Sequence, residues 1–231
     1  MLKQFVYYII AMLFLAGCTE TKIAEVVNLT KPKAHQKWEH IVSSGETLYM
    51  IAWGYGLDYK KIAEVNNIKE PYNITKGQTL NLNYSDANKK IQKKYSKKLV
   101  VKHYRKQHVK WIAPIKVKNK GEFKKKYSHS KYNKGLDILI PKGQNVLAAS
   151  SGKVVYAGSG LKGYGKLIIL KHEGDYLSAY AYNKSLNVKE GQEVKIGEKI
   201  AESGLRDDGL AMLHFQIRYQ GKPVDPAKVI L

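Results

Sequence analysis

The sequence predicts an α+β protein in which a small βααβ module precedes a larger, mainly antiparallel β domain. Between residues 38 and 83, apolar residues change from a β-type run to helical spacing and back again. From residue 111 to residue 231, short apolar runs alternate with turns that contain glycine, a pattern typical of antiparallel sheets with few helices. A chain of 231 residues is long enough for both units.

The first 17 residues have the pattern of an export signal. Lys3 supplies a positive charge, and the apolar run at 5–16 is shorter than the roughly 20 residues that a membrane-spanning helix needs. The run ends in Leu15-Ala16-Gly17-Cys18, which resembles the bacterial lipobox. This resemblance implies that Cys18 becomes the mature N-terminus and carries acyl chains such as palmitate. An ordinary cleavage site beside an incidental cysteine is the alternative.

Export narrows the choice of location and partners. Cys18 is the only cysteine, so the chain forms no internal disulfide. Thr19 stands where lipoproteins kept in the inner membrane have aspartate, so we expect a lipid anchor in the outer membrane, facing the periplasm. The net charge of +21 suits an anionic partner, but export argues against nucleic acid. Anionic lipids, lipopolysaccharide and cell wall remain; compositional drift of the genome is the alternative explanation of the lysine excess.

Two polar segments separate the predicted units. Residues 18–37 form a lipidated N-terminus and tether, and residues 84–110 form a lysine-rich linker.

The module at 38–83 has one strand at each end. His40-Ile41-Val42 and Thr79–Leu82 are the predicted strands, and Asp58 is the expected N-cap of the second helix. Four apolar residues of the first helix fall at i, i+3, i+4 and i+7, and these are Leu48, Ile51, Ala52 and Tyr55.

This module resembles the LysM family through Gly45-Glu46-Thr47-Leu48, Ile62–Asn66 and Gly77–Leu80. LysM modules bind glycans that contain N-acetylglucosamine, so the resemblance implies binding to peptidoglycan. The implied glycan-binding residues are Gly45, Glu46, Thr47 and Asn66. The alternative is a purely structural spacer.

The domain at 111–231 resembles the lysostaphin/LytM-type zinc endopeptidases of peptidoglycan. The resemblance is carried by Gly135–Ile138, Gly152–Gly158, Tyr180-Ala181 and Leu213–Phe215. An active member binds zinc through the His and Asp of H-x-G-x-D and the second His of H-x-H. Two further histidines, in Y-A-H and at the start of H-x-H, assist catalysis.

Three of these five positions have changed in this chain. Asn133 stands at the first zinc ligand, Tyr182 at the histidine of Y-A-H, and Met212 at the first histidine of H-x-H. Asp137 and His214 are retained. An amide oxygen is a poor zinc ligand, and a methionine cannot transfer a proton. The sequence therefore predicts a degenerate peptidase domain without metal, cofactor or hydrolytic activity.

The order of lipobox, LysM module, linker and degenerate domain resembles the lipoproteins that activate murein hydrolases during cell division. The resemblance implies that a groove binds a periplasmic N-acetylmuramoyl-L-alanine amidase, displaces its autoinhibitory helix, and so promotes septal splitting and daughter-cell separation. The expected groove residues are Asn133, Asp137, Tyr182, Met212 and His214. Two alternatives remain open: a structural tether between outer membrane and wall, and an active zinc endopeptidase in which His129 replaces a lost ligand.

Overall fold

The structure, a computed structural model, describes residues 38–83, 109–130 and 135–231. The predicted signal peptide, Cys18, the tether, most of the lysine-rich linker and Asn133 lie outside the described residues. Within the described ranges, no helix combines the length and the apolar character needed to span a membrane.

The N-terminal module, residues 38–83, has the predicted order of elements. These are β1 (Glu39–Ile41), α1 (Leu48–Tyr55), α2 (Tyr59–Val65) and β2 (Thr79–Asn81), with β1 and β2 antiparallel. The Thr47 side chain accepts from the Met50 amide and caps α1, and Asp58 caps α2 as predicted. Gly56, with φ of 65°, ends α1 in the left-handed conformation.

The C-terminal domain, residues 109–231, is mainly antiparallel β-structure, as the sequence predicts. Its strands are two to eleven residues long and alternate with tight turns, and two short helices flank the sheet. In chain order the elements are α3 (Lys120–Lys126), β3 (Tyr127–His129), β4 (Leu136–Leu139), β5 (Asn145–Leu147), β6 (Gly152–Gly158), β7 (Lys166–Lys171), β8 (Tyr176–Leu186), β9 (Glu193–Val194), β10 (Lys199–Leu205), β11 (Ala211–Tyr219), β12 (Lys222–Val224) and α4 (Pro226–Ile230).

Strand β11 lies at the centre of the functional face. It pairs antiparallel with β4 on one side and with β8 on the other, and β8 continues into β7 and β6. Side chains along a strand alternate between the two faces of a sheet. Leu213, Phe215 and Ile217 therefore point into one core, whereas His214 and Arg218 point to the opposite face.

That opposite face, which we call the groove face, carries the N-terminal module. A single buried cluster joins α1 and α2 to apolar residues of β6, β7 and β8. On the sheet side the cluster contains Val155, Tyr156, Leu167, Ile169, Leu177, Ala179 and Ala181. The two units therefore share one apolar interface on the same side of the sheet as His214.

Candidate functional site

The strand register brings together Asp137 and His214, the two residues predicted to remain from the zinc-site motif. His214 on β11 lies directly opposite Asp137 on β4 and directly opposite Ala181 on β8. Directly paired residues project from the same face, so all three side chains belong to the groove face. The His214 Nδ1 lies 2.7 Å from an Asp137 carboxylate oxygen, which is a short hydrogen bond.

Tyr182 lies beside this pair, at the position where the peptidase motif has histidine. Its φ of 61° is left-handed, and its amide donates to the Tyr164 carbonyl over 2.9 Å. The Tyr182 hydroxyl donates to the Gly163 carbonyl over 2.9 Å. The rings of Tyr182 and Tyr164 stand edge-on to the His214 ring at centroid distances of 6.3 and 6.2 Å. Two tyrosines therefore frame the histidine.

The chemistry of Tyr182 is that of a hydrogen-bond donor. Burial raises the pKa of its phenol to about 12, with a further contribution from the Asp207 carboxylate. The phenol therefore stays protonated at neutral pH, and it already uses its proton in the bond to Gly163. A group in this state does not relay protons during hydrolysis.

Met212 lies in the same strand, two residues before His214, and is fully buried. It pairs with Leu139 on β4 and with Gly204 on β10. Met212 shares the face of His214 by strand alternation, but its side chain is buried, so its neighbour Leu139 is the residue available for direct contact. The Leu139 side chain is 54% exposed on the same face, so it extends the site as an apolar rim.

The other two histidines of this domain lie apart from the site. His129 pairs with Leu136, so it points away from the face of Asp137, and its Nε2 lies 3.2 Å from Asp225. His172 is buried, with its ring nitrogens 2.8 Å from the Ser151 carbonyl and 2.7 Å from the Ser178 hydroxyl. Burial lowers the pKa of His172 to about 4, so it is neutral and structural. Neither replaces a lost zinc ligand.

The described residues of the site do not fit a catalytic zinc ion. Such sites use three protein ligands and leave a further position for water. The described part of this face offers two donors, Asp137 and His214, while Asn133 lies outside it. Residues 38–83, 109–130 and 135–231 contain no group of three His, Cys, Asp or Glu placed to hold a metal. It remains a prediction that Asn133 has replaced a zinc-binding histidine and that the chain binds no metal.

The predicted glycan-binding residues have distinct surroundings in the N-terminal module. Gly45 is exposed with φ of 78°, while Glu46 accepts from the Ser43 amide at 2.7 Å. Asn66 ties α2 to β2, since its side chain bonds both to the Asn81 amide and to the Asn81 carbonyl at 2.7 Å. Thr47 donates its hydroxyl to the Val155 carbonyl in the C-terminal domain at 3.2 Å. Their role in glycan binding stays a prediction.

Two members of the site were not predicted from the sequence. Leu139 ends a short strand, and nothing in its pattern separates an exposed rim residue from a buried one. Tyr164 precedes Gly165 between β6 and β7, and the sequence does not show that it packs beside His214. Gly165 follows Tyr164 with a φ of +56°, a left-handed conformation that favours glycine.

Comparisons with known families agree with both units. Residues 40–83 match the LysM domain, and residues 131–226 match peptidase family M23. A lipoprotein NlpD/LppB homolog of Pseudomonas aeruginosa is 36% identical, covering 83% of this chain and 76% of its own. The uncharacterized lipoprotein YgeR of Escherichia coli is 35% identical over 94% of this chain and 88% of its own.

The murein hydrolase activator NlpD of Salmonella typhimurium is 33% identical over 83% of this chain and 67% of its own. These similarities extend across both the LysM and the M23 regions. The chain therefore belongs to the NlpD/LppB family of lipoproteins, which joins a LysM domain to an M23 peptidase domain.

Proposed function

We propose that this protein is a non-catalytic activator of a periplasmic N-acetylmuramoyl-L-alanine amidase and promotes splitting of septal peptidoglycan. The observation that carries the proposal is the state of the groove face. Asp137 and His214 are hydrogen-bonded to each other, and Tyr182 and Met212 stand where the resemblance to the peptidases expects the two catalytic histidines. Relatives named murein hydrolase activators align with 83% of this chain.

Activation requires that the groove binds one state of the amidase better than the other. A ligand shifts a two-state equilibrium only by its differential affinity for the two states. We infer that the groove face binds the regulatory helix of the amidase in its displaced position. Tyr182 and the exposed Leu139 offer an aromatic and an aliphatic anchor, the residue types that suit a helix laid on an apolar surface.

The contact is tested by placing charge on this face. We expect Tyr182→Glu and Leu139→Glu each to reduce activation of the amidase at least tenfold, since a carboxylate in an apolar contact is desolvated without a partner. Dye release from labelled cell walls measures the activation. Met212 is a poor site for the same change, because a charge there would be fully buried and would unfold the domain.

Ile41→Glu is the matched control for Leu139→Glu. Ile41 is also an exposed aliphatic residue, at 67%, but it lies on β1 of the N-terminal module. Unchanged activation by the groove variants, in chains with wild-type stability, would place the amidase contact elsewhere.

The location and the wall contact are further parts of the proposal. We propose that acyl chains on Cys18 hold the protein in the outer membrane, since two or more chains give stable attachment. The LysM match supports binding of peptidoglycan by the N-terminal module. Mass spectrometry of the mature N-terminus checks the anchor, and a Cys18→Ser chain that still fractionates with outer membranes would contradict it.

A further inference from the structure

The N-terminal module is docked on the same face that carries the proposed partner site. Along β11 and β8 the groove face presents three paired rows: His214 with Ala181, Gln216 with Ala179, and Arg218 with Leu177. Ala181, Ala179 and Leu177 all lie in the cluster that contains α1 and α2. The buried cluster that the module shares with the sheet therefore extends to the residue directly opposite His214.

The covered length is comparable with the length of a short helix contact. Arg218 lies four residues after His214, which at about 3.3 Å per residue is about 13 Å of strand. A helix of two turns is about 11 Å long. A partner helix lying along β11 from His214 therefore meets the module before it has made two turns of contact.

The interface contains polar groups that docking leaves without partners. Arg218 is buried beneath Trp53, with its guanidinium carbon 3.9 Å from the ring centroid and an Nη donating to the Trp53 carbonyl at 2.7 Å. None of the ion pairs among the described residues gives Arg218 a carboxylate partner. Three buried nitrogens in this region have no hydrogen-bond partner: Arg218 Nε, Gln216 Nε2 and Trp53 Nε1.

These groups make the docked state easy to release. A buried charge without a carboxylate and unpaired N–H groups oppose the apolar burial, and water satisfies them once the units separate. Burial lowers the pKa of Arg218 to about 10, which reflects the same cost. An interface with both apolar attraction and unpaired polar groups suits reversible contact between two folded units.

We propose that the docked N-terminal module is an intramolecular latch that competes with the partner for the groove face. Only the competition with the partner rests on the proposed function, because docking and release of the module are properties of this chain alone. In the closed state the module covers β11 beyond His214, and in the open state Gln216 and Arg218 join the exposed surface. The partner and the module exclude each other, so only open molecules bind the partner. The apparent affinity for the partner therefore rises in proportion to the fraction of molecules that are open.

A single glycine provides the sharpest way to open the latch. Gly221 lies in the two-residue turn between β11 and β12, with φ of +73°. A Cβ added there would lie 2.6 Å from the backbone of Leu57 and Asp58 in the N-terminal module. Backbone atoms cannot rotate away, so Gly221→Ala forces the units apart. Gly191→Ala is the matched control: its φ is +85°, but nothing lies within 4 Å of the added Cβ.

A second variant opens the latch without touching a turn. Lys60 on α2 forms an ion pair with Asp175 of the C-terminal domain. Lys60→Glu places two carboxylates together, and their repulsion favours separation. Lys189→Glu is its control, because it makes the same charge change at an exposed position of the C-terminal domain.

The experiment measures distance and activation in the same chains. The mature chain with Cys18→Ser carries spin labels on cysteines placed at the exposed positions Lys76 and Lys195, one in each unit. We expect one narrow distance for the parent chain and for both controls. Gly221→Ala and Lys60→Glu should give a longer and broader distribution and, in dye release, several-fold more activation at limiting protein concentration.

The possible failures are distinct. Parent-like distances in both opening variants would overturn the docking. Longer distances with unchanged activation, where the parent chain does activate, would overturn the competition. An amidase that no chain activates would contradict the proposed function, while the distances would still decide whether the module docks and releases.

Discussion

At the residue scale, His214 is the residue around which the side chains of the groove face gather. Its ring bonds to Asp137 and is framed by Tyr164 and Tyr182. The motif positions predicted which residues meet here, because strand register fixes the face of each one. Sequence could not predict the burial of Met212 or the exposure of Leu139, since both depend on what packs above each strand.

His172 gives the protein a pH dependence that can be predicted from its environment. Its pKa is about 4 in the folded chain, against an ordinary value of 6.5. Between these values the unfolded chain binds a proton that the folded chain excludes, so stability falls as pH decreases. We expect the free energy of unfolding to drop by about 3 kcal/mol between pH 6.5 and pH 4. The contribution is constant above this window.

Chemical denaturation at several pH values measures this dependence. His172→Gln keeps a polar side chain near Ser151 and Ser178 but removes the titrating group. The variant should be less stable at pH 7 and should have a flatter pH profile. A profile as steep as that of the parent chain would assign the acid sensitivity to other groups.

At the element scale, β8 and β10 meet at a point where only glycine fits. A Cβ on Gly204 would lie 2.7 Å from the Tyr182 carbonyl oxygen and 2.7 Å from the Lys184 amide. We expect Gly204→Ala to cost about 2–3 kcal/mol of stability, the upper part of the range for overpacking, and to shift Tyr182 within the groove face.

Gly209→Ala is the comparison for this effect. Gly209 has φ of +84°, but nothing lies within 4 Å of the added Cβ. Its cost should be only the backbone strain of about 1–2 kcal/mol, with unchanged amidase activation. Equal losses of stability and activation in the two variants, measured by denaturation and dye release, would show that crowding at β8 is unimportant.

The elements themselves were largely predictable from local patterns. The apolar spacing of Leu48 to Tyr55 and the Asp58 cap predicted both helices of the module, and the observed elements agree. The main strands of the C-terminal domain also fall on predicted apolar runs. Helix α3 and strand β3 were missed, since the lysine-rich stretch at 120–126 has little apolar periodicity.

At the scale of the whole molecule, the docking of one unit on the other could not be predicted. Strand β11 is buried on both faces, and no local pattern in the sequence tells which unit covers the groove face. Arg218 is the residue that could have indicated the docking, because a charged residue in a buried strand needs a specific partner. That partner is Trp53, across the interface.

Docking also couples the predicted glycan site to the groove. Thr47, one of the predicted glycan-binding residues, contacts Val155 of the C-terminal domain. We expect a glycan at this loop to compete with that contact and to favour the open state, so that by linkage the partner and the glycan would strengthen each other's binding. We expect Gly221→Ala to bind a soluble N-acetylglucosamine oligomer several-fold more tightly than Gly191→Ala, as measured by calorimetry. Equal affinities would separate glycan binding from the latch.

The central claim is that this chain activates cell-wall hydrolysis without performing it. Dye-labelled peptidoglycan should be incubated with the protein alone, with a zinc-dependent amidase alone, and with both. We expect no release above background from the protein alone, with or without added zinc, and release well above the sum of the separate reactions when both are present. Zinc-dependent release by this protein alone, with cleaved peptide cross-links as products, would contradict the claim.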